Sequence, residues 1–319
     1  MDELIWILII LFGIAAVAAL TAAFLLFLFA CERKAPSEYK NAEDLVGTPY
    51  EPYAREILAG RTEFLSLPWE EVTAESFDGW KLSGRYVKAE KSKGTILMMH
   101  GFRSSGEFDF SCIVRRLYNA GWSLLVPDQR AHGKSEGKYI TFGVKERHDV
   151  KTWVEWINSA RPDPNGIVLD GISMGASSVM MAASLDLPEN VKGIVADCGF
   201  TSPAEIMNHF LTEGFHIPAF PVFHLAAMFC RLVGGFSVNG ADTAESLKNW
   251  KKPILFIHGK ADTLVPFEMS LVNEEACPAG NKMLVAIDSA GHGLSYLTET
   301  DKVGKELERF LNSIQECNL

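Results

Sequence analysis

The chain has 319 residues, is 48% hydrophobic and carries a formal net charge of −10. That length suits one large core of about 250–280 residues plus an appendage, and the acidic balance argues against a nucleic-acid surface, where a basic stripe is expected. Six cysteines, Cys31, Cys112, Cys198, Cys230, Cys277 and Cys317, show no CxxC spacing, which favours free thiols in a reducing compartment over a disulfide framework or a zinc site.

Residues 4–30 hold no charge, and only Gly13 and Thr21 interrupt their apolar character. About 20 such residues at ~1.5 Å rise cross a bilayer, so 1–31 is expected to be a transmembrane anchor. A cleaved signal peptide would be shorter and begin basic, whereas Asp2 and Glu3 stand here; Leu28-Phe29-Ala30-Cys31 resembles a lipoprotein cleavage site but lacks the same basic start. Arg33, Lys34 and Lys40 on the C-terminal flank favour a cytoplasmic main domain by the positive-inside rule. Residues 32–67, with Pro36, Pro49, Pro52 and mixed charge, read as a linker with one short amphipathic helix at 53–60.

From residue 68 to 319 the pattern alternates. Segments 71–77 and 80–87 flank Asp78-Gly79, a two-residue hairpin signal. The continuous apolar run 95–99 suits a strand covered on both faces and ends in His100-Gly101-Phe102-Arg103. A helix is expected at 108–120, a strand at 123–126, and a helix at 144–160 with Val150, Trp153, Val154, Trp156 and Ile157 near one stripe. Strands follow at 166–170, 191–196, 253–257 and 282–287, with helices from 176, at 266–276 and at 298–314. Strand–helix alternation means a mostly parallel sheet with helices on both faces and right-handed crossovers, an α/β fold whose ligands meet the carboxyl ends of the strands. Residues 200–240 break the alternation and are rich in Phe. They read as a small helical lid in which Phe200, Phe215 and Phe220 shape an apolar substrate pocket, although the same rings also serve to pack a lid onto a body.

The chemistry centres on Gly171-Ile172-Ser173-Met174-Gly175, between a strand and a helix. Small-x-Ser-x-small at such a corner is the nucleophile-elbow pattern, and the flanking glycines permit a tight, strained turn. A serine hydroxyl needs a base oriented by a carboxylate. In chain order, Asp262 follows one late strand and His292 sits in the Gly291-His292-Gly293 loop after the last, so Ser173, Asp262 and His292 are the expected catalytic set. The oxyanion hole needs two backbone N–H groups, expected from Met174 and from Phe102, with Arg103 as second choice and a further candidate for substrate contact.

His-Gly-Phe at 100–102, Asp-Gln-Arg-Ala-His-Gly-x-Ser at 128–135, the serine pentapeptide, Asp262 with Val265-Pro266, and Gly-His-Gly at 291–293 together resemble serine hydrolases of the α/β-hydrolase superfamily. The likeness spans nearly everything from residue 71 onward. It is nearest the lipase, esterase and serine-aminopeptidase branch and its membrane-anchored bacterial members. It implies an α/β-hydrolase fold, Ser173 as nucleophile, His292 as base then acid, Asp262 as orienting acid, and no cofactor or metal.

Rival residues have plainer readings. His100 and His258 read as structural; His132 with Asp128 and Ser135 reads as a brace for the elbow; Asp197 is the main rival acid. His209, His216 and His224 lack metal-ligand spacing. The expected activity is hydrolysis of a small-molecule ester or lipid-like substrate with an apolar acyl or alcohol part. Peptidase or amidase action, for which Glu205 and Glu213 are available, thioesterase or acyltransferase chemistry, and a non-catalytic binding module are the alternatives.

Overall fold

The computed structural model describes residues 2–35 and 39–316; Pro36 of the linker and Cys317 lie outside the described residues. The chain opens with α1 (Asp2–Cys31) and α2 (Ala54–Leu65), then the strands β1 (Glu70–Glu75), β2 (Lys81–Val87) and β3 (Thr95–Met99). Next come α3 (Gly106–Asp109), α4 (Ser111–Asn119), β4 (Ser123–Pro127), α5 (Glu146–Ala160), β5 (Ile167–Ile172), α6 (Met174–Ala182) and β6 (Val191–Asp197). The remainder is α7 (Pro203–His209), α8 (Val222–Leu232), α9 (Thr243–Leu247), β7 (Ile254–Gly259), α10 (Phe267–Ala276), β8 (Lys282–Ile287), α11 (Ser295–Thr298) and α12 (Thr300–Glu316).

Eight strands form one sheet in the order β1-β2-β4-β3-β5-β6-β7-β8. β2 pairs antiparallel with β1 and β4, and every other pairing is parallel. The alternation of strand side chains splits the core in two. Leu97 and Met99 of β3 pack with Trp153, Val154 and Ile157 of α5 and Val179 of α6 on one face. Ile96 and Met98 pack with Val114 and Leu117 of α4 and Leu307 and Phe310 of α12 on the other. Parallel strands covered on both faces read as continuous apolar runs for this reason, which is why they were legible.

Two differences from expectation have local causes. The first hairpin closes through five residues rather than two: Ser76 Oγ donates to Asp78 Oδ1 (2.8 Å) and accepts from Trp80 N–H (2.8 Å). Asp78 is in turn held by Arg130, which also forks onto buried Asp149 of α5 at 2.6 Å. The helix expected at 108–120 breaks at Phe110 into α3 and α4.

α1 is long and apolar enough to cross a membrane. Its last turns are docked: Ala23, Phe27 and Cys31, spaced four apart, are buried against α8, within the segment 200–240 that the sequence reads as a lid. Between α1 and the body, Leu45, Ile57, Phe64 and Leu67 are also buried, and α2 lies on α4. The five described cysteines are free, with Cys31 and Cys230 Sγ atoms 3.9 Å apart.

Candidate active site

The turn from β5 into α6 places Ser173 at φ +56° and ψ −118°, a conformation side chains rarely adopt. Its two glycine neighbours are demanded by contact. A Cβ on Gly175 would lie 1.9 Å from the carbonyl oxygen of Met99, and one on Gly171 would lie 2.4 Å from the backbone of Gly175. The serine is thereby lifted above the carboxyl end of β5, at the N-terminus of α6.

Loops after β7 and β8 bring the two partners. His292 Nε2 lies 2.8 Å from Ser173 Oγ, and His292 Nδ1 lies 2.7 Å from Asp262 Oδ2. Asp262 Oδ1 accepts the backbone N–H groups of Leu264 (2.8 Å) and Val265 (2.9 Å). Burial alone would raise the pKa of Asp262, but hydrogen bonds from His258 and His292 hold it well below the usual carboxylate range. The carboxylate is therefore anionic and fixed by four donors.

One of those donors was not foreseen. His258 is fully buried, with Nε2 3.1 Å from Asp262 Oδ2 and Nδ1 2.6 Å from Ser270 Oγ. Its sequence signal, a histidine closing a late strand, reads only as a structural residue; the contact with Asp262 arises from the turn at 259–262. Asp197, the rival acid, makes no hydrogen bond to His292; its Oδ1 has no partner among the described residues, and burial pushes its pKa up to about 6.

Of the two N–H groups expected to form an oxyanion hole, that of Phe102 lies in the loop after β3 and that of Met174 opens α6. No hydrogen bond among the described residues uses the backbone N–H of Phe102 or Met174. Gly101 N–H is clamped by Asp109 Oδ2 at 2.6 Å, and Arg103 N–H donates to His132 Nε2 at 2.9 Å. Arg103 therefore does not offer its N–H to the site, which leaves Phe102. His132, with Nδ1 2.9 Å from Arg130 O, is occupied as a brace of this loop. Burial and the neighbouring His100 lower its pKa to about 3, so it stays neutral. Asp128 and Ser135 hold Lys134 N–H and Ser83 N–H instead of His132.

A cavity of about 210 Å³ opens beside Ser173 and His292. Its walls include Phe102, Phe142, Phe200, Ile206 and Phe210, together with Tyr50 and Ile57 from the segment between α1 and the body. Of the residues expected to contact substrate, only Phe200 lines it. Arg103 is turned toward α1, donating to the carbonyls of Phe29 and Glu32. Phe215 packs edge-on against Phe29 at 5.7 Å, and Phe220 is 77% exposed on the outside of the lid. The contact with Phe29 of α1 holds Phe215 away from the cavity, a tertiary contact invisible to local pattern. Three carboxyls, Asp109, Asp170 and Asp197, also line the cavity; burial and the charge of Asp197 push Asp170 up to about 8.

A family described as alpha/beta hydrolase fold matches residues 94–223. The uncharacterized protein YqkD of Bacillus subtilis is 26% identical over 280 residues, covering 87% of this chain and 89% of that one. An uncharacterized membrane protein of Saccharomyces cerevisiae is 23% identical over 233 residues, covering 71% of this chain and 74% of its own. Among solved structures, the Pyrococcus furiosus esterase Pf2001 superposes with a TM-score of 0.62 at 27% identity, covering 79% of this chain and 93% of the esterase.

Proposed function

Because the chain belongs to the α/β-hydrolase superfamily, we propose that it is a serine ester hydrolase with Ser173 as nucleophile, tethered to a membrane by α1. The observation that carries this reading is the His292 ring, which spans Ser173 Oγ at 2.8 Å and Asp262 Oδ2 at 2.7 Å. With Nδ1–H donated to an anionic Asp262, Nε2 is left as the acceptor that a serine proton needs.

In the proposed reaction, Ser173 Oγ attacks the ester carbonyl while its proton passes to His292 Nε2. Negative charge develops on the carbonyl oxygen, where the N–H groups of Phe102 and Met174 receive it; one such donor is worth on the order of 10²–10³ in rate. The alcohol departs with the proton from His292, leaving an acyl group on Ser173. Water then attacks, deprotonated by the same nitrogen, and acid is released. The apolar cavity wall of Phe142, Phe200, Ile206 and Phe210 supports an apolar acyl or alcohol part. Arg33, Lys34 and Lys40 beyond α1 support a cytoplasmic body.

The test is a parallel panel of p-nitrophenyl acyl esters of increasing chain length, acyl thioesters and aminoacyl p-nitroanilides. The reading requires esters to be turned over fastest and all turnover to vanish in Ser173→Ala. Faster anilide cleavage, or ester turnover persisting in that variant, would overturn it.

A further inference from the structure

We propose that the outer face of the lid is a second membrane contact, seated on the bilayer surface at the level where α1 leaves it, so that esters reach Ser173 from the lipid phase. The proposal rests on reading α1 as a membrane span. α1 has 30 residues. About 20 residues cross a hydrocarbon core of ~30 Å, so two to three turns of the helix must lie beyond it.

Burial identifies which turns these are. The side chains from Leu4 to Phe12, and Ile14 and Val17, face outward with no protein against them, whereas Ala23, Phe27 and Cys31 are covered by α8. Ring contacts reinforce this join: Phe24 against Phe229 at 5.1 Å and Phe29 against Phe215 at 5.7 Å. α8 is thus held at the height where α1 emerges. Arg103 ties the same end to the body through the carbonyls of Phe29 and Glu32 and stacks over the Phe29 ring at 5.6 Å. Lid, anchor end and the loop after β3 therefore meet in one place, which fixes how the body sits on the bilayer.

Much of what α8 and the residues flanking it present outward is apolar. Only Ala226 and Cys230 of α8 are buried. Ile217, Phe220, Met228, Leu232 and Val233 are exposed, Phe220 by 77% and Leu232 by 72%. A cluster of this kind is costly in water and favourable against acyl chains. Its rim is polar, with Arg231, Glu213, His216 and His224 exposed, and Lys34 Nζ sits 4.9 Å over the Phe29 ring, the pairing of aromatic and base that suits a headgroup layer. The same stretch of chain, through α7 and the turn after it, supplies Ile206 and Phe210 to the cavity wall, so the outward face and the cavity wall are only a few residues apart in sequence.

The experiment uses the full chain in vesicles of phosphatidylcholine with a fifth phosphatidylglycerol, in a Cys112→Ser, Cys317→Ser background. Bimane is attached to Phe12→Cys, Phe220→Cys, Leu232→Cys or Lys91→Cys, and brominated lipid serves as quencher. Lys91 precedes β3, on the rim of the sheet opposite the site. Quenching at 12, 220 and 232 but not at 91 is expected. Quenching at 12 alone would overturn the lid contact while leaving the anchor intact, and no quenching at 12 would overturn the anchor. None of these outcomes depends on catalysis, so they are separable from failure of the esterase reading. In parallel, Leu232→Glu combined with Val233→Glu should lower the ratio of turnover on a vesicle-borne long-chain ester to turnover on a soluble short-chain ester about tenfold. An unchanged ratio would overturn the proposal.

Discussion

Asp262→Asn separates orientation from bulk packing. The carboxylate accepts from Leu264 and Val265 N–H on Oδ1 and faces His258 and His292 on Oδ2. An amide has a single acceptor oxygen. The two backbone donors cannot turn, so that oxygen stays with them and the NH₂ group points at both imidazoles. His258 needs no change of tautomer, because its Nε2–H also faces Val265 O at 3.0 Å and keeps that acceptor, while Nδ1 accepts from Ser270 Oγ, 2.6 Å away. His292 adapts only by moving its proton to Nε2, the atom that must take the proton of Ser173. The fold is then preserved while the base carries the wrong tautomer. The expected loss in kcat is about 10⁴-fold, equivalent to ~5.5 kcal/mol of transition-state stabilisation. Steady-state hydrolysis of a p-nitrophenyl ester measures it, with a thermal melt as the control for folding. A correctly folded variant that keeps more than about a tenth of kcat would refute the tautomer argument.

Three further outcomes follow from particular contacts. Gly175→Ala drives a methyl to 1.9 Å from Met99 O, where neither strand nor helix can yield cheaply, so a destabilisation of about 1–3 kcal/mol is expected in urea unfolding; an unchanged midpoint would contradict the elbow packing. Asp170→Asn should gain stability over the parent as pH rises. The folded-state pKa of Asp170 is raised to about 8 from 3.8, so the parent loses stability across that window at up to ~1.4 kcal/mol per pH unit while Asn does not. Melts from pH 4 to pH 8 check this, and a gap that stays flat would contradict it. Copper-phenanthroline oxidation should join Cys31 to Cys230, whose sulfurs lie 3.9 Å apart, with loss of two hydrogens by mass; free thiols after treatment would contradict the docking of α1 on α8.

Most of what places the chemistry was written locally. Gly-x-Ser-x-Gly between an apolar run and a helical run, and Asp262 and His292 each just past a strand, are short-range patterns, and the parallel sheet then brings strand ends together. The directions of Phe215 and Arg103 were not legible, because each is set by contact with the end of α1, more than seventy residues away in sequence. The same holds for Tyr50 and Ile57: a proline-containing, mixed-charge stretch reads as a linker, yet its amphipathic face contributes to the cavity wall. His258 was visible as a structural histidine at a strand end but not as a neighbour of Asp262. Nothing in local pattern states that a four-residue turn will fold the two together.

The most direct measurement is to trap the enzyme with a fluorophosphonate probe and map the adduct by peptide mass spectrometry. The account predicts one modified residue, Ser173, with labelling abolished in Ser173→Ala and severely slowed in His292→Ala. Modification at another serine, or undiminished labelling once the imidazole at 292 is gone, would contradict it.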